Sequence, residues 1–287
     1  LRSKPMSRPK SVSNTSGWSK AGGAVTQLST RSGLNVLRAL HGGFDPRRAA
    51  SFPLIPIGNR VAGNRFTLDG IEYQLLPNDS EQRYLHGDGW ISDWAVDHES
   101  DDELRLSLDI TQPRFGPHRY RAEQVFTLDG PRLHMDIAIE NRGNAALPFG
   151  IGLHPYFPND GAEITFAARR FWTEGPGHIP EAPQDPPPHA DFTGARALQE
   201  LALNNAYEHW DGRARIRWPS GLQAEMTADP VFSTLMVFAP ADDRSFFCLE
   251  PMSHLPGALG HYGPEGMAVL APGQRLAGRV SITVSPP

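Results

Sequence analysis

The 287-residue sequence holds a single cysteine, Cys248, so no intrachain disulfide can form and packing has to hold the fold. Nowhere do apolar residues run for the roughly 18 positions that a membrane helix needs. No apolar stretch follows the basic residues near the N-terminus, so a secretory signal is not expected and a reducing cytoplasm is the simplest location. Positive charge is scarce as well. Lys and Arg number 27 against 32 Asp and Glu, a net charge of −5, whereas a general nucleic-acid binder needs a basic face. A Gly-rich phosphate loop, a G-x-S-x-G elbow and an H-E-x-x-H zinc helix are all missing. Long helical patterns are missing too; the best stretch, 195–203, is short.

What remains is a chain of strands and turns. A hydrophobic share of 39% with 21% charged residues is ordinary for a folded domain. The 27 prolines and 28 glycines punctuate it often. Phe66, Leu68, Ile71, Tyr73 and Leu75 flank Asp69-Gly70, a two-residue link that predicts a hairpin because both positions favour positive φ. Leu104, Leu106, Leu108 and Ile110 alternate, as do Leu222, Ala224, Met226 and Ala228, and again Val280, Ile282 and Val284. Residues 120–128 and 133–140 read as a second hairpin around Asp129-Gly130. This pattern predicts an all-β protein, a large antiparallel β-sandwich. The proline-rich stretch 174–189 has strand patterns on both sides, so it is a surface excursion and 21–287 forms one domain. Residues 1–20, with five basic and no acidic residues, read as a flexible basic tail, with Met6 an alternative start and a basic arm for an acidic partner the sharper alternative.

Three segments are too polar for plain β-core. In Leu85-His86-Gly87-Asp88-Gly89-Trp90 the glycines let backbone approach a ligand, although a turn with an incidental histidine is the plainer view. In Gly152-Leu153-His154-Pro155-Tyr156, Pro155 interrupts strand pairing, which lets His154 face a cleft rather than serve as a structural histidine. In Phe246-Phe247-Cys248-Leu249-Glu250-Pro251 a carboxylate ends an apolar run. Such a group is costly unless it is paired with an arginine or functional, and desolvation would make it a stronger base. A fourth segment, 52–60, ends in Asn59 and Arg60, fixed donors for hydroxyl groups. Cys248, inside its apolar run, reads as packing.

Together with Gly22-Gly23-Ala24, Trp210-Asp211-Gly212 and Leu270-Ala271-Pro272-Gly273, these segments in this order resemble the aldose 1-epimerase (galactose mutarotase) family over nearly all of residues 21–287. The resemblance implies a supersandwich with its site in a cleft on one broad face. It implies Glu250 as general base, His154 as general acid, and His86, Asn59 and Arg60 as sugar-binding residues. Asn204 stands where galactose-active members carry an aspartate that binds a sugar hydroxyl, and Met236 where some carry a glutamine, which leaves the preferred sugar open. Trp90 or Trp94 is able to stack on a sugar face, although as core aromatics neither needs that role.

The implied substrate is a small sugar, with no nucleic acid and no membrane as partner, and the oligomeric state stays open. A carboxylate and an imidazole can open a hemiacetal ring and close it on the other face, so neither metal nor organic cofactor is required. Three other functions remain: a non-catalytic sugar-binding module on the same fold, a glycoside-cleaving enzyme pairing Glu250 with Asp88, and a metal site built from His86, His154 and Glu250.

Overall fold

Strict alternation of apolar residues builds two large sheets, each with one face on a common core. The computed structural model describes residues 17–285 and 287, together with the backbone of Val12–Ser13. A nine-stranded sheet runs, edge to edge, through Arg196–Ala197, Glu163–Phe166, Arg213–Arg217, Gln223–Ala228, Arg275–Ser285, Arg132–Asn141, Tyr120–Asp129, Glu103–Ile110 and Ala95–Glu99. A six-stranded sheet follows the order Tyr156–Pro158, Phe246–Met252, Thr234–Ala239, Leu203–Glu208, Arg170–Glu174 and Pro180–Gln184. All pairings within both sheets are antiparallel.

The alternating residues behave as their spacing predicts. Leu104, Leu106 and Leu108 are buried, as are Leu222, Ala224 and Met226, and Val280, Ile282 and Val284. Each of the Leu, Met, Val and Ile side chains among them contributes about 1.5–3 kcal/mol on leaving water. Buried residues of both sheets belong to one hydrophobic cluster, so the expected β-sandwich is the observed fold.

Local differences have local causes. Asp69 and Gly70 both take positive φ and close the first hairpin as expected. In the second, Asp129 pairs with Arg132, so the two-residue link is Gly130-Pro131 rather than Asp129-Gly130. Gly130 takes the positive φ and Pro131 follows it, consistent with a tight turn that opens on glycine. The short helix expected at 195–203 does not form. Arg196–Ala197 is instead an edge strand on Glu163–Phe166, and Leu198 is fully buried. Pairing and burial override helix propensity there. Among the described residues the only α-helix is Ala258–His261, and no helix is long and apolar enough to cross a membrane. The expected tail, 1–20, lies mostly outside the described residues; near its end Trp18–Ser19 pairs with Ala24–Val25, and the Trp18 indole N–H donates to Glu99 at 3.1 Å.

Candidate active site

Register on the six-stranded sheet assembles the first half of the site. Tyr156 lies opposite Cys248, Cys248 opposite Phe238, and Phe238 opposite Asn204, so these four share one face. Two residues along, Glu250 lies opposite Met236 and Met236 opposite Ala206 on that same face. His154 precedes Tyr156 by two residues, and its Nε2 reaches Glu250 Oε1 at 3.2 Å. The intervening residues of Phe246–Met252, Phe247 and Leu249, point the other way, into the core. Alternation thus turns the carboxylate toward the cleft while the strand stays anchored.

Loops from the N-terminal half supply the rest. The segment 52–60 runs beside residues 152–154: His154 N–H donates to Phe52 O at 2.9 Å and Leu54 N–H to Gly152 O at 2.8 Å. Its end is fixed by Gly58 N–H donating to His254 Nε2 at 3.0 Å. Asn59 Oδ1 accepts the Arg60 N–H at 2.9 Å, and His86 N–H donates to Asn59 O at 2.8 Å. His86 and Gly87 both take positive φ, 57° and 74°. At Gly87 a Cβ would lie 1.8 Å from Ile55 O, so only glycine fits this crossing.

A cleft of ≈ 700 Å³ opens over these side chains, lined by Asn59, Arg60, His86, His154, Asn204 and Glu250 together with Phe52, Tyr156, Glu174 and His178. The size suits a small ligand. His154 packs against both Phe52 and Tyr156, with each ring centroid 4.6 Å from its own, and the Tyr156 ring is stacked on it. The Arg38 guanidinium lies over the Tyr156 ring, 3.8 Å from its centroid.

Burial dominates the electrostatics. It pushes the Glu250 carboxyl up to about 8, against the pull of Arg60. It pushes the His154 imidazole down to about 3, with Arg38 acting in the same direction. Between those limits the pair holds one proton. Burial, His154 and Arg60 hold His86 well below the ordinary histidine value. Its Nδ1 accepts the Asn59 N–H at 3.2 Å, so the neutral ring carries its proton on Nε2 and offers a donor. Glu250 Oε2, His154 Nδ1 and Arg60 Nε are buried without a hydrogen-bond partner. Buried polar atoms left so are costly, and their clustering in one cleft marks it as a place for a polar ligand.

Six of the seven expected site residues therefore line one cleft. Trp90 does not. Its indole N–H donates to Leu85 O and Gly87 O, both at 3.0 Å, and the buried ring packs 5.6 Å from Phe52, so it props the His86 loop instead of facing a sugar. Asp88, the second carboxylate of the glycoside-cleaving alternative, is also outside the lining. It is buried and bonded by the Tyr120 hydroxyl, and burial raises its carboxyl to about 6. Met236 is buried beside Glu250 and outside the lining. Glu174 and His178 were not singled out in the sequence; the Glu-Gly-Pro-Gly-His run, an acid and a histidine around a tight turn, was the available signal.

One group of three potential metal ligands comes together among the described residues: His154, Cys248 and Glu250, with ligand atoms within 4.8 Å. It contains Cys248 where His86 was expected. Burial and the neighbouring Glu250 push the Cys248 thiol well above its ordinary value, and a protonated thiol is a poor ligand.

Comparison with known proteins bears on family and fold. The family described as aldose 1-epimerase matches residues 15–283. The uncharacterised protein YphB of Escherichia coli K12 is 39% identical over 248 residues, 82% of this chain and 84% of that protein. A crystal structure of an Escherichia coli K12 protein, described as a candidate aldose 1-epimerase, superposes with a TM-score of 0.86 at 34% identity, covering 93% of this chain and 94% of that one. A galactose mutarotase-like protein from Clostridium acetobutylicum shares the fold, with a TM-score of 0.80 at 17% identity over 93% of this chain and 90% of that one.

Proposed function

Because the chain belongs to the aldose 1-epimerase family, we propose that it interconverts the α and β anomers of a monosaccharide, with Glu250 and His154 as its acid–base pair. The observation that carries this is the buried contact of 3.2 Å between His154 Nε2 and Glu250 Oε1, open to a cleft.

Opening a cyclic aldose removes a proton from the anomeric hydroxyl and adds one to the ring oxygen. The net proton count does not change, so a pair that shares one proton is sufficient. In the free protein that proton rests on Glu250. Passing it across the 3.2 Å contact gives a carboxylate facing an imidazolium. Hydroxyl donors on Oε2 and the Arg60 guanidinium favour the carboxylate form. Glu250 then accepts the anomeric proton while His154 protonates the ring oxygen. Rotation about the C1–C2 bond and closure with the roles exchanged produce the other anomer. Each positioned group contributes about 10²–10⁴-fold. Arg60, the Nε2 proton of His86, Asn59 and Asn204 hold the sugar hydroxyls. A lone buried thiol fits a cytoplasmic setting.

Polarimetry of freshly dissolved pure anomers, over pentoses, hexoses and hexose phosphates, tests the assignment. At least one aldose should equilibrate far faster with the protein than without it. Sugar binding with no acceleration would favour the non-catalytic module, and release of reducing ends from a glycoside would favour bond cleavage.

A further inference from the structure

Asn204 puts an amide rather than a carboxylate at its place in the cleft, yet a carboxylate stands beside it. The hairpin formed by Arg170–Glu174 and Pro180–Gln184 turns through residues 175–179 beside Asn204. Glu174 stands at the end of its first strand, past the bulge that breaks register between Trp172 and Glu174. Asn204 Nδ2 donates to Glu174 Oε1 at 2.5 Å, and His178 Nδ1 lies 2.5 Å from that same oxygen. His178 takes a positive φ of 61°, an uncommon conformation for a non-glycine residue that brings its ring back to Glu174. The turn is also tied to the opposite wall, because Arg83 donates to Gly177 O at 3.2 Å.

The contacts of Asn204 and His178 with Glu174 both fall on Oε1. Its side chain is 35% exposed, lines the cleft with His178 and Asn204, and keeps Oε2 for another donor. Glu250, Asn204 and Glu174 belong to one cleft, with Glu250 and Asn204 on neighbouring rows of one sheet face. A monosaccharide whose anomeric carbon meets Glu250 presents its remote hydroxyls toward the Asn204 side.

On the mutarotase reading above, we infer that Glu174 is the carboxylate that selects the substrate: it accepts a hydroxyl from the far end of a neutral aldose and repels a phosphate or carboxylate there. Asn204 and His178 are positioning residues that aim it. Two polar groups fixed on a carboxylate reduce the side-chain freedom lost on binding, which is the benefit of preorganisation. An anionic substituent at the same place would face Glu174 across a short distance, with unfavourable Coulomb energy.

The test is kcat/KM for a panel of neutral aldoses and their 6-phosphates with wild type, Glu174→Gln and Asn204→Asp, together with equilibrium binding of the same sugars in a Glu250→Gln background with and without Glu174→Gln. A hydrogen bond to a charged partner corresponds to about 10- to 100-fold. Glu174→Gln should lower kcat/KM for the preferred neutral aldose by that order, mainly through KM, and raise the ratio of phosphorylated to neutral substrate. Asn204→Asp sets a second carboxylate against Glu174 and should weaken neutral aldoses too. Unchanged ratios in Glu174→Gln, or improved neutral-aldose activity in Asn204→Asp beside a silent Glu174→Gln, would overturn the assignment while wild-type turnover keeps the mutarotase reading. If wild type turns over no aldose, the binding arm decides: affinity that depends on Glu174 keeps the subsite and discards the catalysis, and affinity independent of it discards the subsite.

Discussion

Glu250 is the residue on which stability and chemistry pull in opposite directions. In the fold its carboxyl titrates at about 8, raised from 4.5 by burial. A raised value means that the folded state keeps a proton that the unfolded chain has released. The stability this confers is complete below pH ~4.5 and is lost as pH climbs through about 8. Glu250→Gln has no proton to lose and makes a similar shape. Denaturant melts should therefore show the variant more stable than wild type at pH 8, on the order of a few kcal/mol, with the gap closing toward pH 4.5. Turnover should fall about 10²–10⁴-fold in the same variant, since an amide cannot accept the anomeric proton. A folded Glu250→Gln enzyme with wild-type rates would remove Glu250 from the mechanism. The pair also sets a pH limit: kcat/KM should decline as pH rises through about 8, where the pair loses its one shared proton. A kcat/KM that keeps rising above pH 9 would contradict it.

At the scale of elements, much of the site was legible in the sequence because alternation and turn chemistry are local. The apolar run into Glu250 marks a strand that must turn one face to the core, and Pro155 marks the break after His154. Glu174 and His178 were not legible, since their contact with Asn204 depends on how a proline-rich hairpin folds over a strand thirty residues away. Trp90 misled for a related reason: an aromatic beside a glycine-rich loop reads alike whether it faces a ligand or holds the loop. The loop itself offers a sharp comparison between two glycines of positive φ. Gly70 has no atom within 4 Å of a built Cβ, whereas at Gly87 that Cβ meets Ile55 O at 1.8 Å. Gly70→Ala should cost about 1–2 kcal/mol, the backbone penalty alone. Gly87→Ala must also separate the His86 loop from residue 55, so its denaturation midpoint should fall further and activity should drop with it. Equal losses at both positions would mean that the crossing is not as close as it stands here.

At the scale of the whole molecule, charge argues for the kind of substrate. The protein carries a net −5, and the five basic residues of 1–20 leave the remainder more acidic still. The cleft mixes Arg47 and Arg60 with Glu81, Glu174 and Asp242, so its lining gives no cationic field to draw in an anion. A neutral sugar feels none of this at long range; an anionic sugar approaching the molecule is repelled, and salt relieves that repulsion. Raising ionic strength from about 0.02 to about 0.5 M, over which the screening length shrinks several-fold, should leave kcat/KM for a neutral aldose nearly unchanged. For a hexose phosphate, any slow turnover should rise over the same range. The opposite slope, with phosphate-sugar turnover falling as salt is added, would reveal a cationic approach to the cleft that the lining residues do not supply. It would make an anionic sugar the natural ligand even with Glu250 and His154 in the roles proposed.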